Sequence, residues 1–207
     1  LIILAAGMGT RMNSEIPKVL HAIAGDPMLV HAMAAGAMLE PEHTIVVAGH
    51  GAAEVTAAAH AYDETATVVV QAEQLGTAHA VDQAKEALAG FDGTAIVLYG
   101  DTPFVSPDTL ERMMEAAATV DVVVLGFEAA DPGRYGRLVM HGDTLERIVE
   151  FKDASEAERA ITLCNSGVIA CNAALLFDLI AAVDNKNASG EYYLTDIIGL
   201  ARTRGLT

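Results

Sequence analysis

Residues 4–12 read Leu-Ala-Ala-Gly-Met-Gly-Thr-Arg-Met, and Pro17-Lys18 follows closely. A short apolar strand, residues 1–4, runs into small residues and two glycines before it meets two cations. Gly7 and Gly9 lack a Cβ, so the backbone can turn sharply there and bring N–H groups against a ligand. Arg11 can grip phosphate oxygens in a bidentate fork, and Lys18 acts as a point charge. They are the only Lys or Arg residues in the first 40 positions. These are the parts of a triphosphate cradle. The plain alternative is an ordinary turn, because Gly-x-Gly after a strand is common. No Gly-Lys-Ser/Thr follows, so the loop is not a Walker A. Met12 stands where a dinucleotide fingerprint would need its third glycine, which disfavours a nicotinamide-dependent oxidoreductase.

Downstream of that loop, apolar strands alternate with Ala-rich helices. The pattern predicts strands at 1–4, 44–49, 66–70, 94–99 and 121–127, and helices at 28–39, 52–61, 77–89 and 106–118. Such alternation implies an α/β domain with a mostly parallel sheet covered by helices on both faces. The valine tracts at 68–70 and 122–124 suit strands buried on both sides. After Asp131 the rhythm changes. Pro132, three glycines and strand-like runs at 137–140 and 145–151 predict a small hairpin excursion over the binding edge. A strand at 161–171 and helices at 173–182 and 193–203 complete the reading. In open sheets of this kind ligands bind beyond the carboxyl ends of the strands, where the glycine loop leaves strand 1.

The 207 residues suit one large domain, and 52% apolar composition supports a sizeable core. No apolar run approaches the about 20 residues needed to cross a bilayer. No secretory signal pattern is visible, so a cytoplasmic protein without membrane contact is expected. The chain opens inside a strand, and a few residues upstream are expected to be missing. Formal charge is −16, which opposes generic nucleic-acid binding. An anionic substrate would need local cations or a divalent metal. Cys164 and Cys171 lie seven apart on a predicted strand, facing opposite sides, so no disulfide is expected between them. The histidines show no zinc-type spacing.

Three further constellations carry chemistry. Residues 71–80, Gln-Ala-Glu-Gln-Leu-Gly-Thr-Ala-His-Ala, lie between a strand and a helix. Gln71 offers a donor and an acceptor on one flat amide that can pair with a pyrimidine edge. Gly76 permits close backbone approach, and Thr77 reads as an N-cap or a ligand contact. Tyr99-Gly100-Asp101 follows an apolar strand, which suits a carboxylate for a hard cation, although an Asx-turn explains Asp101 equally well. Gly136, Glu150 and Asn165 offer a later polar set suited to sugar hydroxyls. Thr195 and Asp196 read as caps of the last helix.

Taken in order, these segments resemble the sugar nucleotidyltransferases, which join a nucleoside triphosphate to a sugar 1-phosphate. The Gln-Leu-Gly-Thr-Ala-His-Ala and Gly-Glu-Tyr-Tyr-Leu-Thr-Asp segments are most similar to the uridylyltransferase domain of bacterial bifunctional N-acetylglucosamine-1-phosphate uridylyltransferases. The likeness covers essentially the whole chain. It implies a Rossmann-like three-layer αβα fold over residues 1–207, Mg2+ as cofactor, and UTP and N-acetylglucosamine 1-phosphate as substrates. Leu4, Ala5, Ala6 and Gly7 would meet the nucleotide through backbone, and Arg11 and Lys18 would hold phosphates. Gln71, Gly76 and Thr77 would recognise uracil. Tyr99, Gly100 and Asp101 would line the site, with Asp101 as metal ligand. Gly136, Glu150 and Asn165 would bind the sugar, with Tyr193 and Thr195 near its phosphate.

Three departures from the family pattern stand out. Met8 replaces a basic residue common between the loop glycines. The asparagine that supplies a second metal ligand in the family lies beyond residue 207. The β-helix acetyltransferase domain is absent from this stretch, so a truncated chain is expected, with a trimer only where that domain exists. A pyrophosphorylase for another sugar or base, and a non-catalytic nucleotide-sugar sensor, stay open as alternatives.

Overall fold

The computed structural model describes residues 1–207 except Met8, Thr10, Arg11, Asn13 and Glu15. The first half runs β1 (Ile2–Ala5), a 3-10 turn at Lys18–Leu20, the hairpin β2 (Ala22–Ile23) and β3 (Asp26–Pro27), α1 (Met28–Ala37), β4 (Ile45–Ala48) and α2 (Ala52–Tyr62). There follow β5 (Thr67–Val70), α3 (Thr77–Asp82), β6 (Thr94–Tyr99) and α4 (Pro107–Ala117). The second half contains β7 (Val122–Glu128), β8 (Arg137–His141), β9 (Thr144–Val149), α5 (Glu156–Arg159), β10 (Leu163–Asn172), α6 (Ala173–Ile180) and α7 (Asp196–Thr203).

Strand residues alternate between the two faces of a sheet, and here each face has its own helices. Ile2, Leu4, Ile45 and Val47 pack with residues of α3, α6 and α7. Ile3, Ala5, Val46 and Ala48 pack with α1, α2 and α4. This is the expected three-layer arrangement, and it explains why β1 and β4 are apolar at every position.

The main sheet has eight strands in the order β5-β4-β1-β6-β10-β8-β9, with β7 on the free side of β10. Strands β5, β4, β1 and β6 are parallel. β10 is antiparallel to β6, β7 and β8, so β7 and β8 run with the parallel group and β9 and β10 run against it. This topology places the site. The ends of β1, β5 and β6 share one edge, and the beginning of β10 returns to that edge. The β8–β9 hairpin joins there through a pairing of Arg137 with Cys164.

Several local expectations are corrected. The helix expected at 77–89 stops at Asp82 and continues as turns. The Gln83 side chain donates to the His79 carbonyl at 2.9 Å, the acceptor that the Gln83 backbone N–H would use in a continuing helix. The valine tracts are not buried on both sides. β5 is an edge strand with Val70 52% exposed, and Val122 to Val124 are half-buried. The last helix begins at Asp196, because residues 192–194 run alongside α3. Tyr192 N donates to Leu75 O, Ala78 N to Tyr192 O, and Leu194 N to Thr77 Oγ1. Cys164 and Cys171 are both buried free thiols, as expected.

Candidate active site

A cleft of about 430 Å³ opens at the shared strand edge, lined by Gly7, Lys18, Gln71, Gly76, Thr77 and Asp101 among others. Lys18 Nζ donates to Asp101 Oδ2 at 2.5 Å. The two side chains come from positions 83 apart, one on the turn after β1 and one just past β6. They remain 40% and 28% exposed. An ion pair this open adds little to stability, so each partner can be exchanged for a ligand: the ammonium for phosphate, the carboxylate for a cation. Gly9 has φ +58° and lies so close to Lys18 that a Cβ there would sit 2.7 Å from the Lys18 Cβ. The loop glycine thus lets the chain pass over the lysine.

The four expected backbone contacts at the end of β1 divide. The Leu4 carbonyl accepts from Gly100 N at 2.9 Å, which fastens the two site strands together, while its side chain lines the cleft. Ala5 turns its methyl into the opposite core and does not line the cleft. Ala6 and Gly7 do. Gly100 is buried beneath the Leu4 carbonyl. Arg11 and Met8 lie outside the described residues.

Gln71 lines the cleft, but its amide nitrogen is engaged inside the protein by Gly76 O and His79 Nδ1, each at 3.0 Å. The expectation that Gln71 offers both a donor and an acceptor is therefore corrected: its amide nitrogen is taken, and among the described residues only its carbonyl oxygen lacks a partner. Thr77 is not an N-cap. Gly76 holds that position, and the Thr77 hydroxyl accepts from Leu194 N at 2.9 Å. Gly76 has φ +121°, and a Cβ there would lie 2.4 Å from the Tyr192 carbonyl oxygen. Only glycine fits between α3 and the 192–194 segment.

The second polar set assembles beside the cleft. Asn165 N donates to Gly136 O at 2.9 Å. Gly136 faces Glu150 so closely that a Cβ there would sit 3.4 Å from Oε1. Thr195 Oγ1 donates to Glu150 Oε1 at 3.0 Å. Thr195 is the N-cap residue of α7 by position, yet its hydroxyl makes no capping bond and serves Glu150 instead. Burial pushes the Glu150 carboxyl up; the Thr195 bond offsets this in part, and Asp153 and Glu191 push it further. The Tyr99 phenol is also raised, by burial first and then by Glu150. Tyr99 joins the two sets, since it lines the cleft and its ring packs on Gly167 of β10. Tyr193 is half-buried on the strap before α7 and does not line the cleft. Glu191, which the sequence reading does not single out, does.

Among the described residues no cluster of three or more His, Cys, Asp or Glu side chains is arranged to hold a metal. The donor chemistry still fits magnesium, which commonly takes one or two carboxylates plus substrate phosphates. Asp101 supplies one carboxylate at the cleft wall.

A family profile described as MobA-like NTP transferase domain matches residues 1–168. The chain is 71% identical over its whole length to the Bifunctional protein GlmU of Ruegeria pomeroyi, covering 46% of that protein. It is 67% identical to the Bifunctional protein GlmU of Roseobacter denitrificans, again covering 46%. The chain therefore spans about half the length of these curated relatives. Among solved structures, UDP-glucose pyrophosphorylase complexed with UDP-glucose is similar with TM-score 0.79 at 19% identity, over 100% of this chain and 87% of that one. HddC from Yersinia pseudotuberculosis is similar with TM-score 0.69 at 22% identity, over 94% and 82%. These two likenesses concern the fold alone. No helix among the described residues is long and apolar enough to cross a membrane.

Proposed function

The chain belongs to the MobA-like NTP transferase domain family, and from that premise we propose that it transfers UMP from UTP to N-acetylglucosamine 1-phosphate, releasing pyrophosphate. The observation that carries this reading is the half-exposed Lys18–Asp101 pair at the wall of the 430 Å³ cleft. A cation and a carboxylate held 2.5 Å apart can part to receive a phosphate and a metal ion. The whole-chain likeness to two bifunctional GlmU proteins supports the same conclusion.

The attacking sugar phosphate is already anionic, so no side chain has to remove a proton. The protein's task is to position two anions and offset their repulsion. Lys18, released from Asp101, would hold phosphate oxygens, and Arg11 would add a second cation. Gln71 would accept from the base through its carbonyl. Glu150, Asn165 and the Gly136 backbone would bind the sugar. Asp101 would hold Mg2+, which when bound neutralises phosphate charge and polarises the phosphoryl group. Residues 1–207 would form one nucleotidyltransferase domain, working in the cytoplasm where nucleoside triphosphates are available.

The test is magnesium-dependent pyrophosphate release from UTP and N-acetylglucosamine 1-phosphate, against a panel of other triphosphates and sugar phosphates. The reading expects this pair to be used best. Preference for a different base or sugar would overturn it, and binding without turnover would make the site a sensor.

A further inference from the structure

Gln71 is 3% exposed and still lines the cleft, so the end of its amide that faces the cavity determines what the cavity accepts. The atom against Gly76 O must be the NH2 end, because a carbonyl only accepts. The second amide hydrogen then goes to His79 Nδ1 at 3.0 Å. His79 must present that nitrogen bare and carry its proton on Nε2. Gln83 Nε2 also lies 3.4 Å from His79 Nε2, a contact that would favour the other tautomer. It is the longer of the two, and the Gln83 amide already donates to the His79 carbonyl at 2.9 Å. The other tautomer would set an N–H against the Gln71 NH2 group. Among the described residues the one buried side-chain polar atom without a partner is His21 Nε2, so the Gln71 carbonyl oxygen, which has no partner among the described residues, opens on the cleft.

We propose that His79 is a positioning residue that sets base choice, by holding the Gln71 amide with its carbonyl toward the bound base. This rests on the reading that the cleft takes a pyrimidine nucleoside triphosphate. A fixed carbonyl favours a ring that offers N3–H, as uracil does, and meets the bare N3 of cytosine with a lone pair. Cytosine has an amino donor one position away, so discrimination depends on how firmly the amide is held. His79 sits on α3 between Ala78 and Ala80, both packed in the core, so the helix that carries the ring is itself anchored.

The experiment has two readouts. Hydrogen exchange of the Gln71 side-chain amide by NMR needs no nucleotide. Calorimetric titration with UTP and with CTP, each with magnesium, measures base choice. In His79→Leu, protection of the Gln71 amide is lost, UTP affinity falls about tenfold, and CTP affinity stays within twofold. His79→Asn places an oxygen acceptor near the Nδ1 position and returns both readouts to within threefold of wild type. That rescue separates positioning from a general loss of packing. Unchanged Gln71 protection in His79→Leu, or equal falls for UTP and CTP, would overturn the proposal. A UTP-over-CTP preference that is unchanged in His79→Leu overturns it while leaving the transferase reading intact. A wild-type protein that does not prefer UTP to CTP overturns both.

Discussion

The two halves of the site are held by different means. Around β1 and β6 the cleft is made from strand ends, short turns and the half-exposed ion pair Lys18–Asp101. Around β8, β9 and β10 the polar groups are buried and hold one another. Glu150 is bonded by Thr195 just before α7, and Gly136 by Asn165 from β10. Arg137 is 1% exposed and its guanidinium donates to the carbonyls of Gly133, Tyr135 and Arg159. The first region is thus ready to exchange its internal contacts for a ligand. The second is fixed before any ligand arrives, since its groups would be costly to leave unpaired.

Substitutions can break this contrast. Asp101→Ala should lower turnover about a thousandfold, roughly 4 kcal/mol of transition-state stabilisation. Its unfolding midpoint in urea should barely move, because an ion pair this accessible to solvent adds little to stability. A large loss of stability would mean that the pair is structural after all. Arg137→Met should do the reverse. It should cost about 3 kcal/mol of stability, since the carbonyls of Gly133, Tyr135 and Arg159 lose the buried guanidinium that donates to them, and chemical denaturation would measure it. A loss under 1 kcal/mol would place Arg137 among dispensable charges.

Gly76→Ala probes the seam between the two regions. Its φ of +121° and the 2.4 Å approach to Tyr192 predict a cost of about 2 kcal/mol, with UTP affinity and stability falling together. Normal stability would show that the strap at 192–194 yields readily.

The smallest expected effect concerns Asp196, whose carboxyl is pushed up to about 6 by burial first and by nearby carboxylates next. A folded-state value above the usual unfolded value near 4 means the folded protein binds this proton more tightly. Stability from this group is therefore full below about pH 4, falls as pH rises toward 6, and stays lowered above it. Asp196→Asn should raise the melting temperature at pH 7 by about 3 °C, as for a gain of about 1 kcal/mol, and leave it unchanged at pH 4. Equal shifts at both pH values would mean that charge is not the cause.

The same contrast explains what the sequence could convey. The layers, the strand edge and the places of Gly7, Lys18 and Asp101 follow from alternation and from glycines after apolar runs, which are local signals. The orientation of Gln71 depends on His79, eight residues away on the next helix. The bond from Thr195 to Glu150 spans 45 residues. No local pattern marks Thr195 as a partner of Glu150 rather than a cap, because both roles use one hydroxyl at a helix start. The valine tracts misled for a related reason. Apolar composition reports that a strand is covered, while edge or centre depends on strand order.

Steady-state kinetics of Glu150→Ala and Lys18→Ala against both substrates tests the division of labour most directly. The account predicts that Glu150→Ala raises KM for N-acetylglucosamine 1-phosphate at least tenfold with KM for UTP within twofold, and that Lys18→Ala raises KM for UTP the more. Equal rises for both substrates in both variants would contradict it.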